Sequence, residues 1–167
     1  MTNDSSRVLI ALGSSIEPRL FYIEEATRLI LKSDFCSKLL EKAPIYRSKP
    51  IGVAKNFFLN STITVEARGK PLDWLKDLQN IEESLQRQRN RRWDDRTIDL
   101  DIITAKTANN EEIILDLENL CLPHPQAKLR DFVLVPANDI ASNWNIDSIE
   151  IREHLAKCEM KSIFREM

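Results

Sequence analysis

The chain has 167 residues, 30% of them charged and 43% hydrophobic, with a formal net charge of −2. That make-up suits one globular domain over residues 1–167, large enough to bury a core without staples, and it excludes a broadly basic nucleic-acid surface. No apolar run approaches the ~20 residues that cross a bilayer, so neither membrane nor nucleic acid is an expected partner.

The start, MTNDSSRVLIALGSS, lacks the basic stretch and long apolar run of a secretory signal. Cys36, Cys121 and Cys158 have neither disulfide nor zinc spacing, so reduced thiols in a cytoplasmic protein are expected. Residues 7–12 read as a buried first strand, ended by Gly13-Ser14-Ser15. A helix is predicted over 17–32, with Leu20, Ile23, Ala26 or Thr27, Ile30 and Leu31 on its inner side. A second strand falls within 38–48, and Lys49-Pro50-Ile51-Gly52 breaks it. Residues 56–67 alternate: Phe57, Leu59, Ser61, Ile63 and Val65 share one face, Phe58, Asn60, Thr62, Thr64 and Glu66 the other. Pro71 suits the first turn of a helix that reaches about Arg87, with a core stripe of Leu72, Leu75, Leu78, Ile81 and Leu85.

The segment RQRNRRWDDRTIDLD, residues 87–101, holds five arginines and a tryptophan and runs into a strand over 97–103. On that strand Ile98, Leu100 and Ile102 point into the core, while Asp99 and Asp101 share the other face, about 6.6 Å apart along the chain. Two bare carboxylates so placed repel by roughly 3 kcal/mol at ~5 Å and an effective dielectric near ~20. Magnesium ions would remove that repulsion, and arginines are suited to grip phosphate oxygens in a fork. The same pattern also fits a wet strand face beside a solvated arginine run. Placement of the arginines in a polar, loop-like stretch before the strand favours the phosphate reading.

Further on, residues 105–110 read as a hairpin loop, 112–115 as a strand, Leu122-Pro123-His124-Pro125 as a rigid connection, 126–135 as a short helix and 149–158 as a final one. Phe58 beside Asn60 suits stacking and reading of a flat heterocycle, or plain packing under a helix. Gln79 and Glu82 lie three apart on one helical face, and His124 is held between prolines. Glycines stand only at 13, 52 and 69, which excludes a glycine-rich phosphate cradle. The order β-α-β-β-α-β predicts class α+β, a ferredoxin-like α/β sandwich with an antiparallel-rich sheet and helices packed on it. Such sheets also bind single-stranded RNA, but this chain lacks the corresponding Gly-aromatic strand motif, and the acidic pair would repel a phosphate backbone.

Several stretches together resemble the 6-hydroxymethyl-7,8-dihydropterin pyrophosphokinase family of folate biosynthesis. They are Ala11-Leu12-Gly13-Ser14, Tyr46-Arg47-Ser48-Lys49-Pro50-Ile51-Gly52, Phe57-Phe58-Leu59-Asn60 and Gln79-Asn80-Ile81-Glu82. Arg92-Trp93, Arg96-Thr97-Ile98-Asp99-Leu100-Asp101 and Pro123-His124-Pro125 through Arg130 to Pro136 follow in the family's order. The resemblance implies that Asp99 and Asp101 bind two Mg²⁺ ions that bridge the phosphates of ATP. It implies that Arg87, Arg89, Trp93 and Arg96 belong to or flank a mobile loop closing over ATP. Gln79, Glu82, Arg89, Ile102, His124 and Arg130 would contact the nucleotide. Phe58 and Phe132 would sandwich the pterin, with Asn60, Ser48, Lys49, Ile51 and Asp99 around its edges. The implied reaction moves a pyrophosphoryl group from ATP to the pterin's hydroxymethyl oxygen and releases AMP, in a monomeric protein with ATP and the pterin as its partners. The chain departs from the family pattern at Asp94-Asp95, where Gly-Pro is usual, at Ser15 for asparagine, and at Phe58, where tyrosine is frequent. Its arginine-to-tryptophan stretch is one residue short, and Asn119 and Cys121 stand where some members contact ATP with Arg and Thr. Activity with altered kinetics is the expectation.

Overall fold

The first strand, β1 (Ser6–Ser14), buries side chains on both faces, Val8, Ile10 and Leu12 on one and Leu9 on the other, so it must lie at the centre of a sheet covered twice. The computed structural model describes residues 5–87 and 94–166. After β1 come α1 (Arg19–Lys32), β2 (Cys36–Lys42), β3 (Tyr46–Ser48), β4 (Phe58–Ala67), α2 (Pro71–Ser84) and β5 (Asp99–Lys106). A short hairpin, β6 (Leu115–Asp116) and β7 (Cys121–Leu122), leads through a 3-10 turn at Ala127–Leu129 to α3 (Asp131–Ala141). A second hairpin, β8 (Asn145–Ile146) and β9 (Ile149–Glu150), precedes α4 (Ile151–Lys157) and a last strand, β10 (Ile163–Glu166). No helix among the described residues is long and apolar enough to cross a membrane.

The main sheet runs β10-β3-β4-β1-β5, with β2 also paired to β4 and every described pairing antiparallel. The strand predicted within 38–48 is therefore one edge in two pieces. β2 pairs the far half of β4 and β3 its near end, and between them Pro44 has no N–H for the ladder. With that edge counted once, the order is that of the ferredoxin-like plan. Helices α1 and α2 cover one face, where Ile23, Ile30, Trp74 and Leu78 meet Val8, Ile10, Leu12 and Ile63. The C-terminal elements cover the other: Val133, Leu134, Ala137 and Ile151 meet Leu9 and Ile103.

Several local expectations are corrected. Helix α1 starts after Pro18, and its inner side is Arg19, Ile23, Ala26, Thr27 and Ile30; Leu20 and Leu31 fall outside that arc and are exposed. Leu72 likewise faces solvent, whereas Trp74, fully buried, anchors α2 and donates its indole N–H to the Arg68 carbonyl at 2.8 Å. The Asp73 carboxylate accepts the Lys70 N–H at 3.0 Å and so caps the start of α2. The helix predicted to stop at 135 instead runs through Pro136 to Ala141. Loss of one helical hydrogen bond at proline costs ~3 kcal/mol, and burying Val133 and Leu134 alone returns about as much or more. Past Lys106, where β5 ends, the strand expected at 112–115 is reduced to a single bridge at Glu112 and the two residues of β6. The last predicted helix is confined to α4, and β10 had no counterpart among the expected elements.

Trp74→Ala should lower stability by about 3–5 kcal/mol in urea unfolding, because a filled core site becomes a cavity. Leu72→Ser, on the same helix but exposed, should stay within ~0.5 kcal/mol. Equal effects would show that the buried face of α2 is misassigned.

Candidate active site

A cleft of about 500 Å³ opens where the ends of β1, β4 and β5 meet. Its floor follows from register. Gly13 of β1 pairs with Asn60 of β4 on one side and with Asp99 of β5 on the other; Ala11, two residues back, lies opposite Asp101. Asn60 and Asp99 are thus on one sheet face, about 9.5 Å apart across two strand spacings. A Cβ on Gly13 would come within 3.4 Å of the Asn60 side-chain oxygen and 3.8 Å of the Phe58 ring, so glycine there leaves the floor open. Phe58, Asn60, Ser48, Lys49 and Ile51 line one end together with Phe132 at the start of α3. Asp99, Asp101, His124 and Arg130 line the other, and because β5 is the last strand, the cleft continues past its edge to Gln79 and Glu82 of α2.

Local structure delivers Arg87 to this place. Helix α2 ends in a Schellman turn: the Arg87 N–H bonds to the Glu82 carbonyl at 3.1 Å and the Gln86 N–H to the Glu83 carbonyl at 3.0 Å. Gln86 takes the left-handed conformation (φ 64°) that usually calls for glycine. The reversed chain sets Arg87 between two carboxylates, paired with Glu82 and 3.0 Å from Asp99. Arg96 holds the other oxygen of Asp99 at 2.9 Å. Arg96 is itself fixed by Ser15, which accepts the Arg96 N–H at 2.9 Å and returns its own N–H to the Arg96 carbonyl at 2.9 Å.

The Asp94-Asp95 pair divides its work. Asp94 lines the cleft, while the Asp95 carboxylate accepts the backbone N–H groups of Lys55 and Asn56 at 3.1 and 3.2 Å, tying the loop before β4 to the segment that precedes β5. Only one of the two extra charges therefore faces the cleft. Leu75, Leu100, Pro125 and Gln126 also line it without having been singled out. The two leucines carry only a core signal in the sequence, and Pro125 and Gln126 could have been found from their place beside His124. The Ile102 side chain is buried, as the strand alternation predicts, in the core shared with α1 and α2, on the opposite face from the aspartates, so a nucleotide contact there falls to its backbone. Arg89 and Trp93 lie outside the described residues, as do Arg91 and Arg92.

Charge is unevenly resolved here. Burial first, and then the neighbouring Asp99, push the Asp101 carboxyl up to about 7, against the opposing pull of Arg130, Arg87 and Arg96. Burial and then Arg130 push the His124 imidazole down, so it is neutral at pH 7. Its Nδ1 accepts the Gln126 N–H at 3.2 Å, which leaves Nε2 to carry the proton as a donor. Arg130 stands 5.7 Å from the centroid of the Phe132 ring. Among the described residues no group of three or more metal-ligating side chains occurs. Two hard carboxylates on one strand face, one of them destabilised by the other, nonetheless fit magnesium, which binds through one or two carboxylates plus phosphate oxygens and water.

Between pH 3.8 and about 7 the folded chain keeps a proton on Asp101 that the unfolded chain releases, so ionisation removes stability as pH rises. In metal-free buffer Asp101→Asn should raise Tm at pH 8, with a gain that shrinks steadily toward pH 4. A gain independent of pH would show that the carboxyl is not strained by its surroundings.

Residues 9–142 match the family described as 7,8-dihydro-6-hydroxymethylpterin-pyrophosphokinase. The chain is 35% identical over 161 residues to the 2-amino-4-hydroxy-6-hydroxymethyldihydropteridine pyrophosphokinase of Pseudomonas aeruginosa, covering 95% of this chain and 96% of that one. It is 37% identical over 150 residues to the bifunctional protein FolKE of Lactococcus lactis, covering 89% of this chain but only 41% of that longer protein. In three dimensions it resembles Plasmodium falciparum HPPK-DHPS, solved with pterin and p-hydroxybenzoate, with a TM-score of 0.69 over 94% of this chain and 44% of that one. At 15% identity that likeness speaks for the fold alone. The fold, the ordered motifs around the cleft and these matches lead to one conclusion: the chain belongs to the 7,8-dihydro-6-hydroxymethylpterin-pyrophosphokinase family.

Proposed function

We propose that this chain transfers a pyrophosphoryl group from ATP to the hydroxymethyl oxygen of 6-hydroxymethyl-7,8-dihydropterin, giving the pterin diphosphate and AMP. The observation that supports this most is the register around Gly13. It sets an aromatic and amide end and an acidic, arginine-flanked end on one floor, about 9.5 Å apart. A pterin at the first end directs its hydroxymethyl arm toward the second. The relatives' names concern the same chemistry.

In this reading Phe58 and Phe132 hold the ring by stacking, while Asn60 and the chain at Ser48, Lys49 and Ile51 read its edges. The Asn60 amide already donates to the Ser48 hydroxyl at 2.7 Å, which fixes its orientation before any ligand arrives. Gln79, Glu82, His124 and Arg130 take the nucleotide, with the Nε2–H of His124 as a neutral donor to phosphate. Magnesium held by Asp99 and Asp101 would supply charge neutralisation and polarise the phosphate oxygens.

The hydroxymethyl oxygen attacks the β-phosphorus as the bond to the oxygen bridging the α- and β-phosphates breaks, and AMP departs on the opposite side. Arg87 and Arg96, now paired with Asp99, stand where they can turn to the phosphates as charge moves onto AMP. Arginines in related phosphoryl transfers contribute ~10³ to ~10⁵ in rate. In this reading Asp99 and Asp101 are taken up with magnesium and the His124 Nδ1 with the Gln126 N–H, so positioning and electrostatics carry the step and the hydroxymethyl proton passes to solvent. Ile102 is kept as a nucleotide contact only through its backbone, while Arg89 as a nucleotide contact and Trp93 as part of the loop closing over ATP remain in the proposal.

Incubation with magnesium, ATP and 6-hydroxymethyl-7,8-dihydropterin should yield AMP only when the pterin is present, read by chromatography of the nucleotides. ADP, or no turnover, would overturn the proposal. Asp99→Ala should abolish AMP formation while circular dichroism stays that of the parent chain; full activity would put the metal elsewhere. Magnesium alone should raise Tm clearly at pH 8 and much less at pH 5.5, where a proton on Asp101 competes. Equal shifts at both pH values would exclude Asp101 as a ligand.

A further inference from the structure

The pterin end of the cleft has two walls that are remote in sequence: Ser48, Lys49 and Asn60 on the β3–β4 side, and Phe132 on α3. Between them lies Asp131, a buried carboxylate at the first position of α3, only 4% exposed, for which the reaction has no use. It is bound to the C-terminal segment. One oxygen accepts the backbone N–H groups of Ser162 and Ile163 at 2.6 and 2.9 Å, and the other accepts the Ser162 hydroxyl. The carbonyl of the same Ser162 accepts the Lys49 N–H at 2.9 Å, and Ile163 pairs with Ser48 where β10 joins β3. An unbroken series of bonds thus leads from the residue next to Phe132, through Ser162, to Lys49 and Ser48, and on to Asn60. A second tie, from the Tyr46 hydroxyl to the Asp139 carboxylate at 2.5 Å, joins β3 to the far part of α3.

We infer that Asp131 and the C-terminal strand brace the pterin slot, with Asp131 as a positioning residue that sets the spacing of Phe132 from the Ser48–Asn60 wall. This rests on the proposed function for the identity of the ligand, but the brace itself is a property of the chain. A carboxylate holding three donors in a buried place fixes their relative positions firmly, because leaving any one unpaired is costly. The part of the ATP end built on Asp99, Asp101 and α2 shares no side-chain hydrogen bond with this brace among the described residues, and Arg130, the residue before Asp131, is held by its own backbone bonds to Ala127, Val133 and Leu134. Loss of the brace should therefore separate the two substrates.

The test uses the full chain with three substitutions. Asp131→Ala should raise KM for the pterin roughly tenfold while KM for ATP stays within about twofold. Asp131→Asn loses the charge at the helix start but keeps an oxygen for both N–H groups and an amide for the Ser162 hydroxyl, so it should restore parental behaviour. Ser162→Ala, which removes one bond only, should show a smaller rise in the same direction. Amide hydrogen exchange at Lys49 should quicken in Asp131→Ala and not in Asp131→Asn, and this readout needs no turnover. Equal rises in both KM values, an asparagine variant as impaired as the alanine one, or unchanged exchange at Lys49 would overturn the brace. A parent chain that forms no AMP, yet shows the exchange pattern, would overturn the function and leave the brace standing.

Discussion

Where β1 passes between β4 and β5, one residue has no side chain, and the floor of the cleft is laid out around it. Gly13 is the register partner of both Asn60 and Asp99, so the Asn60 amide and the Asp99 carboxylate flank a bare stretch of backbone on one sheet face. A methyl group there would touch both Asn60 and Phe58. The central strand must be flanked on each side for this to work, which is why the ferredoxin-like strand order matters to the chemistry. The buried faces of β1 hold it in the middle of the sheet.

Around this floor the protein sets like charges close and then surrounds them with arginines. Asp99 is gripped from two directions by Arg87 and Arg96, each delivered by a backbone device, a left-handed turn at Gln86 and the two-way clasp of Ser15. Asp101 is instead pushed toward neutrality by burial and by its neighbour, against the pull of Arg130, Arg87 and Arg96. The result is a cleft in which one aspartate is paired twice and the other is held near neutrality; in the proposed function a cation and phosphates would take over these pairings. Asp95, by contrast, serves structure, linking the loop at Lys55 and Asn56 to the approach of β5. A substitution that looks from the family pattern like added charge near ATP is half a loop tie.

The second face of the sheet is built by the C-terminal third of the chain. Helix α3 is held by its apolar side against Leu9 and Ile103, strongly enough to tolerate Pro136 in its interior. Its first residue, Asp131, gathers the returning chain and brings β10 to the free side of β3. Phe132 is thereby placed by contacts made thirty residues downstream in sequence.

Ala105 and Lys106, expected in a hairpin loop, belong to strand β5 because they pair with Val8 and Arg7 of β1. The first half of that strand could be read from its alternation, Leu100 and Ile102 inward with Asp99 and Asp101 opposite, because a strand's period of two is a local property. The stripe of α2 and the alternation of β4 were legible for the same reason, and the ordered motifs were enough to bring together nearly every described residue of the cleft. Leu20, Leu31 and Leu72 were misplaced because an apolar residue at the margin of a helical stripe is buried only if a neighbour covers it. Neither the brace at Asp131, nor the left-handed Gln86, nor the separate duties of Asp94 and Asp95 have a local signature. Each exists because residues far apart in the chain supply the missing donors, and such pairings are decided only when the whole sheet and its two helical layers close together. Local sequence determined which side chains are acidic, basic or aromatic and which strand face they share; tertiary packing decided which of them line one cleft.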